Sequence, residues 1–424
     1  MTEGPRRLKV VAFGGGHGLA ASLRGLRHTA PALDLDITAV VTVGDDGGSS
    51  GRLRAERDSL PPGDLRQALA ALADDDPFHQ GTAELLQYRF AVSGHLDRGG
   101  DERSGAPAST HPGMGSGPGA KSAGPEPGGA GREPGAGGAG PERGAGGAGP
   151  ERGAGGAGPE RGAGGAGPER GAAKIPAGLG NAPSDRRITG VVDRRDPLAG
   201  HAVGNLLLVG LMELLGDPIA ALEHVGRLVG ARGRVLPMAL HAVGIEADVR
   251  GVDPHKPDEM VTVRGQHAVA VTPGHVEAVR LMPPAPPACP SALAAVAEAD
   301  WLIFGPGSWY TSVLPHLLVP QLAEAIMKSP ARRLVTLNLA ADIETLGLSA
   351  ADHLAALHWY LPGLHVDAVL ADARWVGEPE PVHHAAQALG ARLVLAPVAV
   401  ADGSPRHDPE SLGVALVPVL GAAR

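Results

Sequence analysis

Short, continuously apolar runs that end in glycine and give way to helical spacing constrain this chain most. Residues 8–13 run into Gly14, Gly15 and Gly16, and a helical stretch follows at 19–28. Residues 36–43 run into Gly44, and 301–304 into Gly305-Pro306-Gly307 ahead of a helix expected at 312–327. Strands at 333–339, 366–371 and 392–396 and helices at 64–73, 201–215, 218–229 and 350–360 continue the rhythm. A strand that is apolar at every position is buried on both faces, as in a parallel sheet covered by helices. The expected fold class is α/β: a Rossmann-like three-layer α/β/α core with a mostly parallel sheet. A small β-rich patch at 234–281, with four short strands, interrupts the rhythm. Ligands of such sheets sit at the carboxyl ends of the strands.

One segment cannot join this core. From 99 to 184 the composition collapses to Gly, Ala, Pro, Glu and Arg, and Gly-Ala-Gly-Gly-Ala-Gly-Pro-Glu-Arg repeats four times over 135–170. The repeat has no apolar side chain larger than Ala or Pro, so it cannot offset the ~1–2 kcal/mol per residue of backbone ordering. Glycine does not fall at every third position, which excludes collagen. The expected organisation is a first part of the core at 1–98, a disordered insert at 99–184, and the remainder of the core at 185–424.

The net charge of -9 argues against a general nucleic-acid partner. Cys289 is the single cysteine, so neither a disulfide framework nor a multi-cysteine zinc site is available, which suits a reducing compartment. The apolar stretch 206–215 is interrupted by Glu213 and too short to span a bilayer, and residues 1–10 read as a charged start to a strand, not as a signal peptide. A cytoplasmic protein without membrane insertion is expected.

Six motifs carry candidate chemistry. The turn Gly14-Gly15-Gly16-His17-Gly18 follows a strand and opens a helix, the context of a phosphate-binding loop. It lacks the Gly-Lys-Ser/Thr of a Walker A loop. It fits a dinucleotide fingerprint only loosely, and no acid ends the next strand, so NAD is not favoured. The second motif holds Asp45, Asp46, Gly47, Ser49, Ser50 and Arg52. Its paired acids repel bare phosphate; they suit a Mg2+ ion or ligand hydroxyls. In Pro61-Pro62-Gly63-Asp64-Leu65-Arg66, Asp64 either caps the following helix or faces a ligand, and Arg66 lies in its first turn. His201 and Asn205 open an apolar helix, and Gly305, Gly307, Ser308, Tyr310 and Thr311 form another strand-to-helix turn. Arg406-His407-Asp408, near the C-terminus, is weak alone. No Ser–His–Asp or Cys–His nucleophile arrangement is evident.

In this order the motifs resemble the YvcK-type gluconeogenesis factor family, relatives of the 2-phospho-L-lactate transferase CofD. The matching stretches are GGGHGL at 14–19, VTVGDDGGSSGRLR at 41–54, PPGDLR at 61–66, LLQYRF at 85–90, GHAVGNLLL at 200–208, GPGSWYTSVLP at 305–315 and ADHL at 351–354. Two departures stand out. Asp342-Ile343-Glu344-Thr345 replaces a Gly-Glu-Thr turn after the strand ending near Asn338, and Leu348 stands where many members carry an aromatic that would stack on a base. The resemblance implies a UDP-N-acetylglucosamine-binding protein that supports cell shape and peptidoglycan precursor supply on gluconeogenic carbon sources. Its implied partners are the UDP-sugar and proteins of cell-wall regulation, in a homo-oligomer that needs no cofactor. On this reading the two glycine loops hold the diphosphate, Asp45, Asp46 and Asn205 read hydroxyls, and Arg406 reaches a phosphate. The alternative is a CofD-like, Mg2+-dependent transfer of phospholactate from a guanosine diphosphate-linked donor, with Asp45 or Asp46 on the metal.

Overall fold

The structure, a computed structural model, describes residues 7–91 and 196–422, which fall in one compact unit. The expected insert at 99–184 lies outside the described residues. Ten strands are present among them: β1 (Leu8–Gly14), β2 (Leu35–Val41), β3 (Arg234–Pro237), β4 (Gly244–Arg250), β5 (Met260–Arg264), β6 (His275–Met282), β7 (Trp301–Phe304), β8 (Arg332–Thr336), β9 (Ala368–Asp372) and β10 (Arg392–Ala396). The helices are α1 (Gly16–His28), α2 (Gly48–Arg57), α3 (Pro62–Ala71), α4 (Pro77–Gln87), α5 (Val203–Leu215), α6 (Pro218–Leu228), α7 (Gln266–Ala270), α8 (Pro290–Glu298), α9 (Pro320–Lys328), α10 (Ala350–Tyr360), α11 (Pro379–Ala388) and α12 (Pro409–Leu420).

Seven strands form a wholly parallel sheet in the order β10-β9-β8-β7-β1-β2-β3. The expected Rossmann-like α/β core is therefore present. From β1 the chain proceeds outward through β2 to β3, then resumes at β7 on the other side of β1 and proceeds outward to β10. Right-handed crossovers are the rule for such parallel units, so successive helices of one half cover one face of the sheet; the last helix, α12, packs beside α1. The order reverses between β1 and β7, so the carboxyl ends of these two strands flank the topological switch point. Phe13 of β1 and Phe304 of β7 stack there, with ring centroids 5.0 Å apart, adding roughly 0.5–1.5 kcal/mol beyond the area they bury.

The small sheet has the order β5-β4-β6 and is antiparallel. Its central strand β4 alternates buried and partly exposed residues, as expected when one face is covered. Of the four strands expected in the 234–281 patch, the first belongs elsewhere: β3 pairs with β2 at the edge of the main sheet. Val235 and Leu236 are buried, so this strand has the apolar character of the main sheet. The helix expected at 312–327 is also divided. Trp309–Val313 is a π-helical turn, Leu314–Leu318 a 3-10 helix, and only then does α9 begin. Pro315 and Pro320 supply no backbone N–H, so a continuous α-helix cannot run through them.

Candidate functional site

The switch point is built by glycine. α1 begins directly after β1, and its N-cap, Gly15, is extended and supplies no side-chain cap. Gly16 follows at φ +56°, a conformation that glycine adopts without strain. Apart from the Gly16 N–H, which Asp64 accepts, the first-turn N–H groups are thus left to solvent or a ligand. A Cβ on Gly18 would strike the Pro306 carbonyl oxygen and stand 2.5 Å from Gly307 Cα, so the loops after β1 and β7 touch. Asn338, just beyond β8, clamps the second loop: its Oδ1 accepts from the Gly307 N–H at 2.8 Å and its Nδ2 donates to the Gly307 carbonyl at 2.9 Å. Glu344 braces the same segment from behind, accepting from the Tyr310 N–H at 2.8 Å and from the Thr311 hydroxyl. Burial pushes the Glu344 carboxyl up to about 7.

Asp64 lies directly beneath the first loop. A Cβ on Gly15 would collide with Asp64 and with Thr42 Oγ1. The Thr42 hydroxyl donates to Asp64 Oδ2 at 3.0 Å, and the Gly16 N–H also donates to this carboxylate. Burial, reinforced by the nearby Asp45 charge, raises the Asp64 carboxyl to about 7. Asp64 does not cap α3, since Pro61 holds that position. The Gly14 carbonyl accepts from the Thr42 N–H at 3.0 Å, tying the first loop to the end of β2.

The adjacent acids at 45 and 46 diverge, as successive residues of an extended segment do. Asp45 lines the cleft; its Oδ1 accepts from the Gly47 N–H at 3.0 Å. Asp46 turns away and accepts from the His267 N–H at 2.9 Å at the start of α7. Of the acids at 46 and 64, it is therefore Asp64 that shares the cleft with Asp45. Among the described residues, no group of three His, Cys, Asp or Glu side chains is placed to hold a metal ion. Two carboxylates suit a Mg2+ that completes its shell with water and phosphate oxygens.

Several expected site residues form a separate buried network. Ser49 Oγ lies 2.9 Å from His201 Nδ1 and accepts from Asn205 Nδ2 at 2.9 Å. Arg66 Nε donates to Asn205 Oδ1 at 2.8 Å, and the guanidinium also reaches Gln87. Burial lowers Arg66 to about 10 and holds His201 below its usual range. Ser50 packs against Gly63, and Arg52, exposed, donates to the Ala199 carbonyl at 2.7 Å. These side chains join α2, α3, α4 and α5; they do not line the switch-point cleft. A buried guanidinium needs such partners whatever the ligand.

The cleft has a volume of about 960 Å³, within the usual range for a small-molecule site. Besides Gly15, Gly16, His17, Gly18, Asp45 and Asp64, its walls include Gly307, Ser308, Thr311, Asn338 and Arg406. Tyr310 is buried behind the wall, and burial pushes its hydroxyl up to about 12. Arg406 stands at the exposed rim, held by Asp402 at 2.7 Å and Ser404 at 2.9 Å. The sequence reading missed Arg24, Gln67, Gln266 and Asp342, which also line the cleft. Two of these were within reach. Arg24 stands seven residues after His17 and Gln67 three after Asp64, spacings that share a helical face. An adjoining cavity of about 440 Å³ shares Asn338 and Leu339 with the cleft and continues to Leu348, His353 and Trp375.

Comparisons with known proteins identify the family and the fold. The family described as 2-phospho-L-lactate transferase CofD matches residues 10–394, and the chain belongs to it. A Mycobacterium tuberculosis protein named "Putative gluconeogenesis factor" is 38% identical over 420 residues, covering 98% of this chain and 90% of its own. The Bacillus subtilis protein named gluconeogenesis factor is 28% identical over 366 residues, covering 86% of this chain and 78% of its own. A crystal structure of a UPF0052 family member from Bacillus halodurans superposes with a TM-score of 0.63 at 26% identity, covering 98% of this chain and all of that one.

Proposed function

We propose that this protein binds a nucleoside-diphosphate sugar, UDP-N-acetylglucosamine, and acts as a cytoplasmic regulator of cell shape, peptidoglycan precursor supply and growth on gluconeogenic carbon sources. One observation carries the ligand class: two glycine loops, one opening an uncapped helix, meet at the switch point of a parallel sheet. The diphosphate lies against Gly15–Gly18 and Gly307–Ser308, with Arg406 at the rim. The adjoining cavity takes the base. Leu348 lines that cavity, so the base packs against an aliphatic group there. Asp45 faces hydroxyls or a Mg2+ ion. The relatives named gluconeogenesis factor support a part in growth on gluconeogenic carbon sources. A sensor of this kind needs only different affinities in two states.

The pairing of Asp45 with Asp64 favours a second reading, a CofD-like Mg2+-dependent transferase acting on a guanosine diphosphate-linked phospholactate donor. There the two carboxylates would hold the ion, whose charge would offset that of the diphosphate. Thermal shift with UDP-N-acetylglucosamine, UDP-glucose and GTP, each with and without Mg2+, separates the two. The regulatory reading expects stabilisation by UDP-sugars, about 2.7 kcal/mol at a hundredfold excess over Kd. A response to guanosine compounds alone, strictly dependent on Mg2+ and accompanied by turnover of a deazaflavin acceptor, would overturn it.

A further inference from the structure

A second cavity, of about 710 Å³, opens between α1, α3 and α4. It meets the switch-point cleft at three residues, His17, Arg24 and Gln67, which line both. None of the three has a hydrogen-bond or ion-pair partner among the described residues. His17 and Arg24 lie two turns apart on one face of α1, so this face runs from the diphosphate position into the second cavity.

We infer that this cavity receives the group carried on the outer phosphate, and that the group is a neutral ring bearing hydroxyl and amide functions. The inference rests on the nucleotide-sugar reading above and locates the sugar within it. Three features set the chemistry. The walls carry two guanidinium groups, Arg24 and Arg27, and two carboxylates, Asp75 and Glu84, so their formal charges balance; Arg27 is paired with Asp75. A strongly charged group therefore gains nothing beyond the junction. Three glutamines face the space. Gln67 is unpartnered; Gln80 uses its Nε2 on the Asp74 carbonyl, leaving an acceptor; Gln87 uses its Oε1 on Arg66, leaving donors. Together they offer both hydrogen-bond senses that hydroxyl and acetamido groups require. Ala20, Ala70 and Ala83 give small apolar surfaces, and the ring of Tyr88 at the mouth is 56% exposed. A flat ring beside amides suits the alternating C–H and hydroxyl faces of a pyranose.

Isothermal titration of UDP and of UDP-N-acetylglucosamine into the full chain, Tyr88→Ala and Ala70→Phe tests this. Tyr88→Ala removes an exposed ring and leaves the core untouched; Ala70→Phe narrows the cavity. The wild type is expected to bind the sugar nucleotide at least tenfold more tightly than UDP. Both variants should keep the UDP affinity within twofold and lose most of that tenfold advantage. An advantage that survives in both variants, or equal weakening of both ligands, overturns the inference while leaving the nucleotide reading intact. So does a wild type that binds UDP and the sugar nucleotide alike. A wild type that binds neither ligand overturns the nucleotide reading, and the sugar site with it.

Discussion

Asp64 holds a carboxyl where ionisation is costly, and this has a consequence for stability. Its ionisation is raised to about 7 in the folded chain against 3.8 for the free group. Between those values the folded state keeps a proton that the unfolded state has released, so stability falls as pH rises, and the penalty is complete above about 7. Glu344, raised from 4.5 to about 7, acts in the same direction. Asp64→Asn keeps an acceptor for Thr42 and Gly16 and removes the charge. Calorimetry from pH 4 to 8 should show a flatter decline for the variant and a higher Tm at pH 8, by on the order of 5 °C; an unchanged slope would contradict this. Gly18→Ala drives a methyl into the Pro306 carbonyl. It should cost ~2 kcal/mol in denaturant unfolding and abolish the ligand-induced shift. At this scale the glycine loops were legible in the sequence because only glycine permits such contacts. The pairing of Asp45 with Asp64 was not, because it depends on how β2 and α3 meet.

Most of the expected site residues fall into two sets. One faces the cleft; the other, Ser49, Arg66, His201 and Asn205, binds helices to each other. Polar residues in small-residue motifs look alike in either role until the packing is known. Asn205→Ala leaves the buried Arg66 Nε without its acceptor and Ser49 Oγ with His201 alone, and should destabilise the fold by ~2–4 kcal/mol. Its nucleotide affinity, measured well below the new Tm, should stay within twofold of the wild type; a large loss of affinity in a folded variant would return Asn205 to the ligand site. Apolar strands were readable from their continuity, as in β1, β7 and β9. Helices rich in Ala, Pro and Gly were not: α8 and α12 both start at a proline, and α12 contains Pro418. The assignment of β3 also escaped local reading, because its register against β2 is a non-local choice.

Across the whole molecule, the C-terminal helix supports the site at a distance. α12 packs along α1: Leu412 fills the space beside Gly25, and Gly413 lies against His28. The helix whose first turn faces the cleft is thereby fixed along its length. Leu412→Ala should cost 2–5 kcal/mol, read as a lower midpoint in denaturant. Architecture at this scale followed from the alternation of strands and helices. The switch point did not, because sheet order is set by pairings across hundreds of residues, and it is the switch point that brings Gly15–Gly18 and Gly307–Ser308 together.

Hydrogen–deuterium exchange with and without UDP-N-acetylglucosamine and Mg2+ tests that meeting of loops as the diphosphate site most directly. Peptides covering 14–19 and 305–312 should both gain protection, while the helix start at 200–208 stays unchanged. Protection at 200–208 with neither loop affected would contradict the account.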